Sequence, residues 1–156
     1  MLKNILVALD DSDISERVME SVLKLILPSD GKVILCHVFP TSTSEMEHPA
    51  DRPYSESSAI SYLQVEKQLQ LYQAELPVDS HLELVNGDPA EEIIRLANIH
   101  KADLIVIGSR GLTGMTRIVQ GSVSSQVVEE AHCSVLVVKQ DRKKKLSPEL
   151  KILINT

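Results

Sequence analysis

The chain predicts an α/β fold: a single domain built on a five-stranded parallel sheet with helices on both faces. Three observations carry that prediction. Four short, continuous apolar runs and one alternating segment, His81 to Val85, are interleaved with four segments whose apolar residues recur at helical spacing. The apolar runs lack a polar face, as expected of strands covered on both sides. The chain has 156 residues, 43% of them hydrophobic but only 3% aromatic, enough for one domain with a core of Val, Ile and Leu.

The elements follow in order. Ile5 to Leu9 reads as the first strand, and the acidic turn Asp10-Asp11-Ser12-Asp13 leaves it. Ile14, Val18, Val22, Leu25 and Ile26 then predict a helix that Pro28 through Gly31 stop. Val33 to Phe39 is a second buried strand. Residues 40–58 carry prolines at 40, 49 and 53, many Ser and Thr, and Glu45, Glu47 and Asp51, which reads as a mobile connection. A second helix is expected over about 57–75, with Ile60, Leu63, Leu69 and Tyr72 as inward candidates and Pro77 after it. His81 to Val85 alternates, as a strand nearer an edge does. Gly87-Asp88-Pro89-Ala90-Glu91 is a helix start: Asp88 caps, Pro89 takes the first turn, and Glu91 sits three after the cap. Ile93, Ile94, Leu96, Ala97 and His100 follow. Residues 103–107 form the fourth strand, a helix is expected near 122–132, and Val135 to Val138 is the fifth strand. The domain is expected over 1–140. Residues 141–156 make a C-terminal tail that starts polar and ends in Ile152-Leu153-Ile154.

Composition narrows the function. A net charge of −6 argues against nucleic acid as the main partner. The basic run Arg142 to Lys145 reads as a solvated end. Cys36 and Cys133 form no Cys-x-x-Cys pair and no zinc spacing, and read as reduced thiols of a cytoplasmic protein. The start does not read as a signal peptide, and no apolar run approaches the ~20 residues of a membrane span. The histidines at 37, 48, 81, 100 and 132 show no ligand spacing and read as structural or surface residues. No Ser-His-Asp or paired-carboxylate arrangement emerges, so no catalytic residue is assigned.

The chemistry concentrates in one stretch. In open parallel sheets, ligands bind beyond the carboxyl ends of strands where the strand order reverses. The acidic turn follows strand 1 and a glycine-rich connection follows strand 4; if these strands are neighbours, both line one crevice. Gly108 to Gly121 holds four of the chain's six glycines. It is longer than the ~2–6 residues usual between a strand and a helix. Free amides at a helix start suit an anion, usually a phosphate. No Gly-Lys-Ser/Thr follows, so this is not a Walker A loop, and no glycines follow strand 1, so the dinucleotide fingerprint is absent. Gly108 and Gly111 would let backbone approach a ligand closely. Gly121 would present its amide at the helix start, the Ser122 and Ser124 hydroxyls would donate, and Arg110 and Arg117 would offset phosphate charge. Asp10, Asp11 and Asp13 raise the prospect of Mg²⁺, which usually needs only one or two carboxylates plus phosphates. Asp13 reads better as a first-turn residue that complements the helix dipole.

Gly108 to Ser122, followed by Val123-Ser124, resembles the nucleotide-binding signature of the universal stress protein family, in the version seen in members that bind ATP. Ile5 to Asp10, Gly87 to Ile93, Ala102 to Gly108 and Cys133 to Val138 resemble the family's first strand, third-helix entrance, fourth strand and last strand. The resemblance covers about 1–140 and implies a Rossmann-like strand order 3-2-1-4-5. It implies that Asp10 approaches the ribose or a nucleotide-bound Mg²⁺, and that the backbone of Val38 meets the adenine. Ala8, Ile107 and Gly108 would line the nucleotide. Arg110, Gly111, Gly121, Ser122, Val123 and Ser124 would hold its phosphates. Asp11 departs from the small residue common after the strand-1 aspartate. The implied protein is a cytosolic ATP-binding regulator in the stress response. It would form a homodimer through Val135 to Val138 and act on a regulatory protein partner. The alternative is a slow ATPase or self-phosphorylating enzyme at the same site, for which Asp10 and Asp11 are the only carboxylates in position.

Overall fold

The computed structural model describes residues 1–10, 14–41, 56–109 and 122–140, with side chains from 61 onward in the helix that begins at 56. Five strands and four helices alternate: β1 (Asn4–Ala8), α1 (Ile14–Leu23), β2 (Lys32–Pro40), α2 (Glu56–Glu75), β3 (Asp79–Gly87), α3 (Pro89–Ile99), β4 (Leu104–Gly108), α4 (Ser122–Glu130) and β5 (Ser134–Val138). The strands form one sheet in the order β3-β2-β1-β4-β5, and every pairing is parallel. This is the expected fold. Beside β1 the order runs outward in two directions, to β2 on one side and to β4 on the other.

The continuous apolar runs follow from two-sided burial. Leu6 pairs with Ile34 and Ile105, and Val7 pairs with Leu35 and Val106. Side chains alternate across a strand, so Ile5, Val7, Val33, Leu35 and Val106 face one core with Ile14, Val18 and Val22 of α1 and Leu69 of α2. Leu6, Ile34, Cys36, Val38, Ile105 and Ile107 face a second core with Ala90, Ile93 and Leu96 of α3 and Val127 of α4. The outer strands are only half covered. β3 has no fully buried residue: Leu82 to Val85 are partly buried and Asp79, His81 and Asn86 exposed, and the strand runs two residues further at each end than His81 to Val85. In β5, Ser134 and Leu136 are exposed and Val138 is buried.

Two inward assignments are corrected. α1 ends at Leu23, where the Leu25 N–H turns back to the Val22 carbonyl at 3.0 Å. The helical period therefore stops short of Ile26, which is 99% exposed, while Leu25 still packs on the first core. In α2, Leu63 is exposed. It lies six residues before buried Leu69, about 240° around a helix of 3.6 residues per turn. The inward face is instead Val65, Leu69 and Tyr72, at helical spacing. The side chain of Ile60, most of the connection expected over 40–58, and the tail over 141–156 lie outside the described residues.

Local chemistry sets the ends that matter. Asp88 caps α3: its Oδ1 accepts from the Glu91 N–H at 3.0 Å, and Pro89 opens the helix. At the opposite end, where β1 and β4 begin, the Asp103 carboxylate accepts the N–H groups of Asn4 and Lys3 at 2.8 and 3.0 Å. These bonds favour its charged form and hold it below the usual Asp value. Asn4 Nδ2 reaches the carbonyls of His100 and Lys101, each at 3.3 Å, so the clamp ties β1 to the α3–β4 connection.

Candidate functional site

A crevice of about 470 Å³, counting the part open to solvent, lies at the carboxyl ends of β1, β2 and β4. Ala8 to Asp10, Cys36 and Val38, and Ile107 and Gly108 form its floor. Ile14, Ser15 and Val18 of α1 close one side, Pro89 and Ile93 of α3 and Val123 of α4 the other. It thus sits where the strand order reverses, the place an open parallel sheet offers a ligand. The strand ends supply apolar surface, and Asp10 is the only carboxylate among the described lining residues.

The polar edge is built around Asp10. Its N–H donates to Ser15 Oγ at 3.2 Å. The Ser15 hydroxyl lies within donating reach of the Asp10 carbonyl and of its carboxylate Oδ1, the latter at 3.2 Å. The residue before it is also held: the Leu9 N–H donates to the Cys36 carbonyl at 2.9 Å, and His37 Nδ1 donates to the Leu9 carbonyl at 2.9 Å. A carbonyl only accepts, so this bond puts the proton on Nδ1. Cys36 is fully buried; burial, aided by the charge of Glu83, pushes its thiol up to about 12.

Gly108 has a packing role besides any approach to a ligand. A Cβ there would sit 2.8 Å from Ile14 Cγ2. Its strand conformation is open to any residue, so the close seat of α1 on β4 is what requires glycine. The Ser109 N–H then continues the sheet to the Val138 carbonyl at 2.9 Å.

Of the site residues the sequence singles out, Ala8, Asp10, Val38, Ile107, Gly108 and Val123 line this one crevice. Ser122 is exposed and Ser124 buried, both on the first turn of α4 and neither lining the crevice. Arg110, Gly111, Gly121, Asp11, Asp13 and Arg117 lie outside the described residues. Among the described residues no three His, Cys, Asp or Glu side chains group to hold a metal ion.

Sequence reasoning missed Leu9, Ile14, Ser15, Val18, Cys36, Pro89 and Ile93 as lining residues, and His37 as the partner of the Leu9 carbonyl. Ser15 carried a signal. It shares a helical face with Val18, Met19 and Val22, so a hydroxyl stands where an apolar residue would be expected, and it is 3% exposed. His37 stands inside a run of buried apolar residues, and a buried polar group calls for a partner.

The model of the universal stress protein family matches residues 1–139. The chain belongs to that family. Universal stress protein MJ0531 of Methanocaldococcus jannaschii is 34% identical over 146 residues, covering 92% of this chain and 85% of that protein. The solved structure of hypothetical protein MJ0577 superposes with a TM-score of 0.78 at 29% identity, covering 91% of this chain and 99% of that one. A universal stress protein solved in complex with cAMP superposes with a TM-score of 0.62 at 25% identity, covering 88% and 97%. Among the described residues of this universal stress protein, no helix is long and apolar enough to cross a membrane.

Proposed function

We propose that this universal stress protein binds ATP in the crevice beside β1 and acts as a nucleotide-dependent regulator in the cytoplasm. One observation carries the reading: Ala8, Asp10, Val38, Ile107, Gly108 and Val123, singled out from the sequence, line a single crevice at the reversal of strand order. Its apolar floor suits a base, and Asp10 at the edge suits a ribose hydroxyl or a phosphate-borne Mg²⁺. The first turn of α4 offers amides to phosphates, with Arg110, Gly111 and Gly121 preceding it in sequence. The structural neighbour complexed with cAMP supports an adenine nucleotide as the ligand class. With Asp10 the only carboxylate lining the described crevice, a regulator is favoured over a fast ATPase, which needs a placed base. The exposed edge of β5 is the surface we assign to a homodimer.

Mass analysis of small molecules released on denaturing the purified protein, followed by calorimetric titration with ATP and Mg²⁺, tests the reading. Gly121→Val puts a branched side chain where a phosphate would approach and is expected to abolish ATP binding in a folded protein. Unchanged affinity in that variant removes the glycine loop from the site.

A further inference from the structure

We infer that His37 is a positioning residue for the nucleotide crevice, holding the Leu9–Asp10 peptide just beyond β1 so that Asp10 is presented to the ligand; this rests on the nucleotide-binding reading. The backbone ladder between β1 and β2 runs as far as the Leu9 N–H, which donates to the Cys36 carbonyl. The Leu9 carbonyl, one atom group from Asp10, is taken by the His37 ring at 2.9 Å. The chain turns out of the sheet here, so this bond and the Ser15 contacts set the direction in which Asp10 leaves β1.

The ring is itself fixed. His37 is 5% exposed, and Phe39 meets it edge-on with centroids 4.6 Å apart. Phe39 in turn stacks on Tyr62 of α2 at 5.7 Å. The ring occupies the α1–α2 face of β2, while Val38 next to it lines the crevice on the other face. His37 is not among the residues that line the crevice. It acts through Leu9 on the residue that meets the ligand. An aliphatic side chain of similar size would keep the packing but leave a buried carbonyl unpaired and the Leu9–Asp10 peptide free to turn.

His37→Leu and His37→Asn separate positioning from packing, because the Asn amide N–H can stand where Nδ1–H stands. Calorimetric titration with ATP and Mg²⁺, well below the melting temperature of each variant, is expected to show a loss of about tenfold or more for His37→Leu. His37→Asn is expected to stay within about threefold of wild type. Wild-type affinity in folded His37→Leu, or an equal loss in both variants, overturns the inference. The wild-type protein offers a second measurement that does not depend on a variant folding. Its ¹⁵N spectrum is expected to show His37 protonated at Nδ1, with that N–H exchanging more slowly once ATP is added; an unchanged exchange rate overturns the positioning role. Wild-type protein that takes up no adenine nucleotide overturns the functional reading itself.

Discussion

Gly108→Ala tests whether the helix that covers the crevice dictates its glycine. The added Cβ would lie 2.8 Å from Ile14 Cγ2, 3.2 Å from Cδ1 and 3.3 Å from Cγ1. Carbon atoms in contact prefer about 3.5–4.0 Å, so the nearest approach is short by about 0.7 Å or more. Ile14 is 3% exposed and packs in the first core, so it has little room to retreat. Overpacking of this kind costs about 1–3 kcal/mol. At about 2–4 °C per kcal/mol for a domain of this size, thermal unfolding should move down by about 2–12 °C. The partner is identified by a cycle. Ile14→Val retains Cγ2 and Cγ1 and should relieve little. Ile14→Ala removes all three offending atoms; alone it should cost about 2–5 kcal/mol through the cavity it leaves. The double variant should then be more stable than the sum of the two single changes, by about 0.5–3 kcal/mol. Thermal unfolding followed by circular dichroism, without nucleotide, measures all four proteins. A Gly108→Ala protein as stable as wild type, or strict additivity with Ile14→Ala, would refute the packing argument and leave ligand approach as the reason for the glycine.

Asp88→Ala removes the cap of α3 and should lower stability by about 1 kcal/mol, seen as a shift of about 2–4 °C in the unfolding midpoint; no shift would mean the Glu91 N–H finds another acceptor. Asp103 is held below its ordinary value of 3.8 by the N–H groups of Lys3 and Asn4. Its contribution is therefore fully present above 3.8 and is lost as pH falls through the lower folded-state value. The stability gap between wild type and Asp103→Asn should shrink on going from pH 7 to below that window in denaturant titrations, and a pH-independent gap would contradict the assignment. Cys36, pushed up to about 12, should resist thiol reagents in the native protein at pH 8 while the half-buried Cys133 reacts; mass spectrometry with equal labelling of both would overturn that. Leu136 is 37% exposed on the edge strand, so Leu136→Lys should shift the proposed homodimer towards monomer in sedimentation at micromolar concentration; a monomeric wild type would remove the dimer.

The regular alternation of apolar runs and helical periods made the architecture legible, because a parallel sheet covered on both faces demands it. Leu6 and Val7 are both buried although they point to opposite faces, and only two-sided burial explains so continuous a run. The start of α3 was equally plain, since Asp88 and Pro89 act on their own neighbours. The end of α1 and the inward face of α2 were less so. Ile26 and Leu63 fit a helical period loosely, but the close of a helix and the azimuth it presents depend on what packs against it. The apolar character of Ile26 and Leu63 carries no direction.

The site divides along the same line. The sequence by itself singled out Asp10 after the first strand and Gly108 after the fourth as candidates, and the family resemblance added Val123 at the opening of the helix beyond. It could do so because turn and loop chemistry is local. The apolar patterning left open whether β1 and β4 are neighbours; the resemblance implied that they are, and the tertiary structure pairs them, so that Asp10 and Gly108, 98 positions apart, share one crevice. It alone set Ile14 against Gly108, placed Ser15 beside Asp10, and bonded His37 to the Leu9 carbonyl 28 residues away. Those contacts depend on strand register and on the seat of α1, which arise only when both cores close, and no local pattern of residues encodes them.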